Sequence, residues 1–245
     1  AAADLSVAQT MYRKLGDIPH AALSLQLLGQ VQAQRRDIRS AAHCMHNASE
    51  LFATINQTED ASQTATAEAT YRFSLYKAVD VVMTEAMDQQ GEDLLAAQTA
   101  ALKAIAFART ADSKLLEGRA CVVVADSCAR VPLASETAVD DETAAFTVTD
   151  PVLLSADMDP KKATVAAAQE LCKPGQATAA TAAAIGLFRE AGSKPAEAAA
   201  QLRFAQLKTE SVLRRDEAWQ AGLKIAPDAG GLTQDDEQQL VDATK

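Results

Sequence analysis

A helix–break–helix stretch that recurs along the chain constrains its fold more than any other feature. The best-formed copy is Leu187–Glu210, LFREAGSKPAEAAAQLRFAQLKTE, where one helical segment ends at Gly192-Ser193 and an alanine-patterned helix restarts at Pro195. Three further copies begin at Met11 (MYRKLGDIPHAALSLQLLGQVQ), Leu51 (LFATINQTEDASQTATAEATYR) and Phe107 (FARTADSKLLEGRACVVVADSC), with breaks anchored at Gly16, Asn56 and Asp112. Gly16 to Asn56 spans one unit of about 40 residues, Asn56 to Asp112 one unit and a remainder, and Asp112 to Gly192 two units. Recurrence of this kind belongs to arrays in which each unit buries its apolar side only against its neighbours.

Local signals agree with that reading. Gly16 takes the left-handed conformation that ends a helix, and Pro19 stands in the first turn of the next, where its missing N–H costs nothing. Between Ile18 and Gln34 the apolar positions Ala22, Leu25, Leu28 and Val31 recur every three residues, giving one buried face. After the polar break Arg35-Arg36-Asp37, the segment Ile38–Ile55 carries Ala41, Met45, Ala48 and Phe52 as a second stripe. The remainder falls in Tyr71–Gln90, which lengthens a helix near 60–87, before Gly91-Glu92-Asp93 restarts a helix that runs through Ala111. Leu115–Ala129 is the next helix. Residues 131–160 break the pattern, with seven acidic residues, three prolines and no Lys or Arg; they read as an acidic insertion loop. Helices resume over Lys161–Leu171, Ala177–Ala191 and Pro195–Lys224, and residues 226–245 form a linker and a short capping helix. The organisation expected is therefore helical pairs over 1–130, the loop 131–160, helices over 161–225, and the cap.

Composition narrows the function. Aromatics are only 4 % of a chain that is 48 % hydrophobic, which suits helices packed through small side chains and disfavours a β-sandwich. A net charge of −10 disfavours nucleic acid, which needs clustered Lys and Arg to displace counterions, and disfavours an anionic membrane surface for the same reason. No apolar run is long enough to span a bilayer, and AAADLSV lacks the pattern of a targeting segment. Cys44, Cys121, Cys128 and Cys172 form no CxxC pair; they read as reduced core residues of a cytoplasmic protein. His43-Cys44-x-His46 could place two imidazoles on one helix face, but further metal ligands are missing nearby. Asp157-x-Asp159 opens like a calcium loop without its glycine or final glutamate. With no phosphate-binding glycine loop and no nucleophile elbow either, the expectation is no catalytic residues, no metal and no cofactor.

Leu28-Gly29 in one helix, followed by Ala41-x3-Met45-x2-Ala48 in the next, resembles the tetratricopeptide repeat, in the roughly 40-residue variety similar to that of kinesin light chains and G-protein-signalling modulators. Val124-Ala125 and Phe204-Ala205 fill the first slot in later copies. Ala97-x3-Ala101-x2-Ala104 and Ala177-x3-Thr181-x2-Ala184 fill the second. Gly29, Ala41 and Ala48 then mark a close approach of two helix backbones. The resemblance implies an all-α solenoid of antiparallel helical pairs that binds a peptide or a partner helix along a groove lined by the first helix of each pair. The lining residues it implies are Gln26, Gln30, Gln34, Thr70, Phe73, Arg119, Asp126, Arg130, Gln206 and Glu210. They lack the Lys and Asn cluster with which chaperone-binding repeats clamp a C-terminal carboxylate. The function expected is a non-catalytic scaffold or adaptor for protein partners, with the acidic loop offered to a basic surface; the alternative is an architectural subunit buried in a large assembly.

Overall fold

The structure, a computed structural model, describes residues 2–78, 84–129 and 176–220. Every element among the described residues is an α-helix: α1 (Ala2–Leu15), α2 (Ile18–Gln34), α3 (Ile38–Thr54), α4 (Thr58–Ala78), α5 (Thr84–Thr110), α6 (Lys114–Cys128), α7 (Gln176–Glu190) and α8 (Lys194–Gln220). They belong to two units that divide between Val123 and Val124, inside α6. In the first, α1 packs on α2, α2 on α3, α3 on α4 and α4 on α5; in the second, α7 packs on α8. This is the all-α arrangement of a helical repeat, with neighbours in sequence packed as neighbours in space. No described helix is long and apolar enough to cross a membrane.

Among the described residues one turn is used five times. Gly16, Arg36, Asn56, Asp112 and Gly192 all have positive φ, between 51° and 72°. Each donates its N–H to the carbonyl three residues back, and the residue after it donates five back, as in Asn56 to Ala53 (3.1 Å) and Gln57 to Phe52 (3.0 Å). This double bond set satisfies carbonyls that a helix end would otherwise leave without donors. The following residue opens the next helix, and Asp17 and Asp37 cap it by accepting from the backbone N–H of His20 (3.3 Å) and Ser40 (3.1 Å). Those bonds hold both carboxyls below their usual range, with the His20 ring as the larger cause at Asp17 and the Ser40 side chain at Asp37.

Anchors 16, 36 and 56 are evenly spaced, so the underlying period is half the one legible in the sequence. Ala21, Ala41 and Ala61 share one position and are all fully buried, as do Leu25, Met45 and Ala65 with 8, 2 and 0 % exposure. The expected stripe Ala41, Met45, Ala48 and Phe52 is the best-buried part of α3. Phe52 and Ala48 join Ala22, Leu25 and Ala61 in one cluster, with Leu51, Ile55 and Phe107 packed against it. Where α2 meets α3 the backbones come close. A Cβ on Gly29 would lie 3.2 Å from the Ala41 carbonyl oxygen, from Cys44 Cβ and from Met45 Cε. The missing side chain at Gly29 is therefore a matter of space, and Ala41 and Ala48 are fully buried on the facing helix. In α5, where Ala101 replaces the bulky residue, Leu102 and Ile105 supply the buried volume.

Two departures from the sequence reading concern the lengthened pair. Helix α5 runs unbroken from Thr84 through Gly91 to Thr110, so Gly91 does not restart a helix; a single glycine costs a 27-residue helix only about 1 kcal/mol. The added length is also shared, with α4 at 21 and α5 at 27 residues against 17 in each of α2 and α3. The acidic segment 131–160, the helix expected at 161–171 and the cap at 226–245 lie outside the described residues.

Candidate interaction site

The first helices of the pairs, α2, α4, α6 and α8, carry nine of the ten residues expected to line a binding surface. On α2, Gln30 and Gln34 are exposed and Gln26 is half-buried. On α4, Thr70 is exposed, its hydroxyl donating to the Thr66 carbonyl at 2.9 Å. Phe73 must be removed from the set. It is only 5 % exposed, with its ring stacked 6.1 Å from that of Tyr76, so it serves the core. The reason lies in the shorter register set by the anchors: residue 73 is equivalent to 33 and 53, positions on the half-buried side of α2 and α3. Arg119 on α6 is exposed, and Arg130 lies outside the described residues.

The remaining three meet at a residue the sequence reading left out. Arg203 Nε donates to Asp126 Oδ1 at 2.5 Å, and its Nη1 reaches Gln206 Oε1 and Glu210 Oε1, both at 3.4 Å. The Arg203 side chain is 19 % exposed. Its guanidinium is already engaged by two carboxylates and an amide, so this cluster ties α6 to α8 and does not present a cation to a ligand. The spacing 203, 206, 210 on one helix face was visible in the sequence. Asp126, 77 positions away, was not.

Charge is distributed unevenly over the first unit. The second helices α3 and α5 are joined by Arg39 Nη2 to Asp93 Oδ2 (3.3 Å) and Lys103 Nζ to Glu50 Oε1 (2.8 Å). The Lys103 bond holds the Glu50 carboxyl below its usual range. Between α3 and α4, Glu68 is 3 % exposed and receives Arg72 Nε at 2.8 Å and His46 Nδ1 at 3.2 Å. That carboxylate raises the His46 pKa through its hydrogen bond, with burial opposing. By contrast, the outward stripes of α2 and α4 are uncharged. On α2 the stripe is Leu23, Leu27, Gln30 and Gln34, all exposed; one full unit further on, α4 presents Gln63, Thr70 and Ser74 in the same register, with Ala67 half-buried among them. Leu23 and Leu27 are 43 and 49 % exposed. Such a stripe offers amide and hydroxyl groups that can both donate and accept, beside apolar side chains that gain from being covered.

His43 and His46 do not converge on an ion. His43 Nε2 faces the Asn47 side-chain amide at 3.1 Å, while His46 turns to Glu68. Among the described residues no group of three or more His, Cys, Asp or Glu is placed to hold a metal. Cys44 and Cys121 are buried thiols, and burial pushes Cys121 up to about 12.

No protein-family model matches the chain, no curated protein matches it, and no solved structure matches it.

Proposed function

We propose that this chain is a non-catalytic interaction module of tetratricopeptide-like repeats, a scaffold or adaptor that holds a protein partner along the exposed faces of its first helices. The observation that supports it best is the uncharged stripe repeated in register on α2 and α4, Leu23, Leu27, Gln30 and Gln34 on the first and Gln63, Thr70 and Ser74 on the second. A helical pair that needed these faces for its own stability would bury them. A chain of net charge −10 that needed them only for solubility would place carboxylates there. Glutamines reading a peptide backbone and leucines covering an apolar side chain are the chemistry of an uncharged extended or helical segment.

The test compares partners captured from the native source by the unaltered chain and by the double variant Leu27→Lys, Gln30→Lys, with helical circular dichroism as the folding control. Loss of captured proteins with an unchanged helical signal is the result expected. Retention of the same proteins by the double variant, alongside their loss on Arg119→Glu, would move the binding face off α2.

A further inference from the structure

Helices α3, α4 and α5 of the first unit are tied to one another by polar bonds of two kinds. Helix α3 is held to α5 by Arg39 to Asp93 (3.3 Å) and Lys103 to Glu50 (2.8 Å), ion pairs between side-chain types that stay charged between about pH 5 and 8. Helix α4 is held to α5 by the buried Ser62 hydroxyl, which donates to the Ala104 carbonyl at 2.9 Å and has no charge to lose. Helix α3 is held to α4 by His46 Nδ1 and Glu68 Oε2, 3.2 Å apart. Of these four bonds, only the last contains a side chain that ordinarily titrates in that range.

The surroundings of Glu68 make the charge on His46 matter. The Glu68 side chain is 4 % exposed and that of His46 36 %, so the carboxylate sits inside the α3–α4 contact and the imidazole at its edge, within reach of water. Arg72 Nε, on the same helix as Glu68, bonds Oε1 at 2.8 Å and leaves Oε2 to His46. A carboxylate taken out of water gains more from a charged donor than from a neutral one. The remaining charges near His46 oppose each other. Glu50 on its own helix favours the proton, while Lys103 on α5, paired with Glu50, disfavours it. His43, one turn earlier, faces the Asn47 amide at 3.1 Å. Helix α2 carries no titratable side chain except His20, which pairs with Asp17.

We infer that the α3–α4 contact is a proton-sensitive joint: protonated His46 binds the two helices through buried Glu68, and loss of that proton loosens this contact while the ties to α5 hold. The sign follows from the bond itself. Glu68 holds the His46 pKa above its ordinary 6.5, with burial opposing. The tie is therefore complete below pH 6.5 and fades as pH rises through the folded value. Helix α4 also carries Gln63, Thr70 and Ser74 of the proposed partner surface, so loosening it from α3 reaches that surface. That consequence rests on the function proposed above; the response of the joint does not.

Hydrogen exchange of the full chain, read by mass spectrometry between about pH 5 and 8 and divided by the intrinsic rate at each pH, tests this. Protection of peptides from α4 should fall several-fold as pH rises, while peptides from α5 keep theirs. His46→Gln should leave α4 at its low value at every pH, and His43→Gln should leave the response as it is. A proton NMR titration of His46 should have its midpoint above 6.5, where the protection falls. Protection of α4 that does not change with pH overturns the inference. So does a fall that survives His46→Gln, one that vanishes with His43→Gln, or one matched in α5, which marks a change of the whole unit. Each of these outcomes leaves the partner-binding reading of α2 and α4 to its own test.

Discussion

The hairpins α3–α4 and α7–α8 are the same turn closed by different chemistry. Each has a buried phenylalanine four residues before its left-handed anchor, Phe52 before Asn56 and Phe188 before Gly192, exposed by 1 and 3 %. Five residues after the anchor they diverge. In α4 that position is Ala61, fully buried against Phe52, Ala48 and Leu25. In α8 it is Glu197, 7 % exposed, which accepts from Arg189 Nε at 2.9 Å and Lys194 Nζ at 3.1 Å. The α5–α6 turn repeats the second solution with Arg109 and Glu117 at 2.7 Å. Because the Arg189 side chain is 64 % exposed, its charge stays hydrated while its fork reaches the buried carboxylate. Backbone geometry thus fixes the turn, and the residue five positions on decides whether contact or charge closes it.

The largest expected effect falls on the contact-closed hairpin. Phe52→Ala should cost about 3–5 kcal/mol in urea unfolding, by loss of transfer energy and a cavity among side chains too small to refill it. Phe188→Ala should cost less, since the Arg189–Glu197 clamp survives it. Next, Ala61→Glu should cost about 3 kcal/mol by burying a carboxylate with no cation opposite. Adding Ala53→Arg, the counterpart of Arg189, should recover a measurable part of that loss; a double variant no better than the single would show that the two closures are not interchangeable. Smaller again, Gly192→Ala should cost about 1–2 kcal/mol because a Cβ is strained at φ 70°, whereas Asn56→Gly at φ 58° should be within about 0.5 kcal/mol of neutral.

The smallest effects separate the two hairpins by the sign of their pH response. Arg189 chiefly, then Lys194, hold the Glu197 carboxyl below its ordinary 4.5. Its contribution is therefore present above pH 4.5 and lost as pH falls through the folded value, and Glu197→Gln should flatten that part of a melting-against-pH curve. His46, at the α3–α4 contact, is raised above its ordinary 6.5 by Glu68. Its contribution is complete below pH 6.5 and fades as pH rises through the folded value, so His46→Gln should remove a decline of the opposite sign.

How much of this was legible follows from what each feature depends on. Helices α2 and α3 were readable to within a residue or so because their signals are local: the break at Gly16, Pro19 in the first turn, the polar break Arg35-Arg36-Asp37, and apolar spacing. Gly29 was readable as a close approach because only a missing side chain permits one. Arg36 was hidden as a left-handed anchor, since nothing in an arginine advertises positive φ and only its place midway between Gly16 and Asn56 exposes it. Gly91 misled in the opposite direction, because its cost is smaller than what the helix around it gains from packing. Of the residues expected to line a partner surface, Gln30, Gln34, Thr70 and Arg119 are exposed; Phe73 is buried, because projection from the Leu-Gly slot cannot tell one side of a helix packed on two neighbours from the other.

The sequence by itself determined that this chain is helical, where most of its described turns fall, and which small residues lie between its helices, because these rest on backbone preference and on spacing along one helix. Only the tertiary structure decided which polar side chains were drawn inward. Glu68 between Arg72 and His46, Ser62 donating to the Ala104 carbonyl, and Arg203 between Asp126 and Glu210 pair across 4 to 77 positions. The longer of those separations carry no periodic signal, and the pairing energy exists only once packing has removed the water from both groups. The same is true of Met11, which is exposed at a position whose equivalents Val31, Leu51, Phe107 and Leu187 are half-buried, a fact of the packed array that its own helix does not carry.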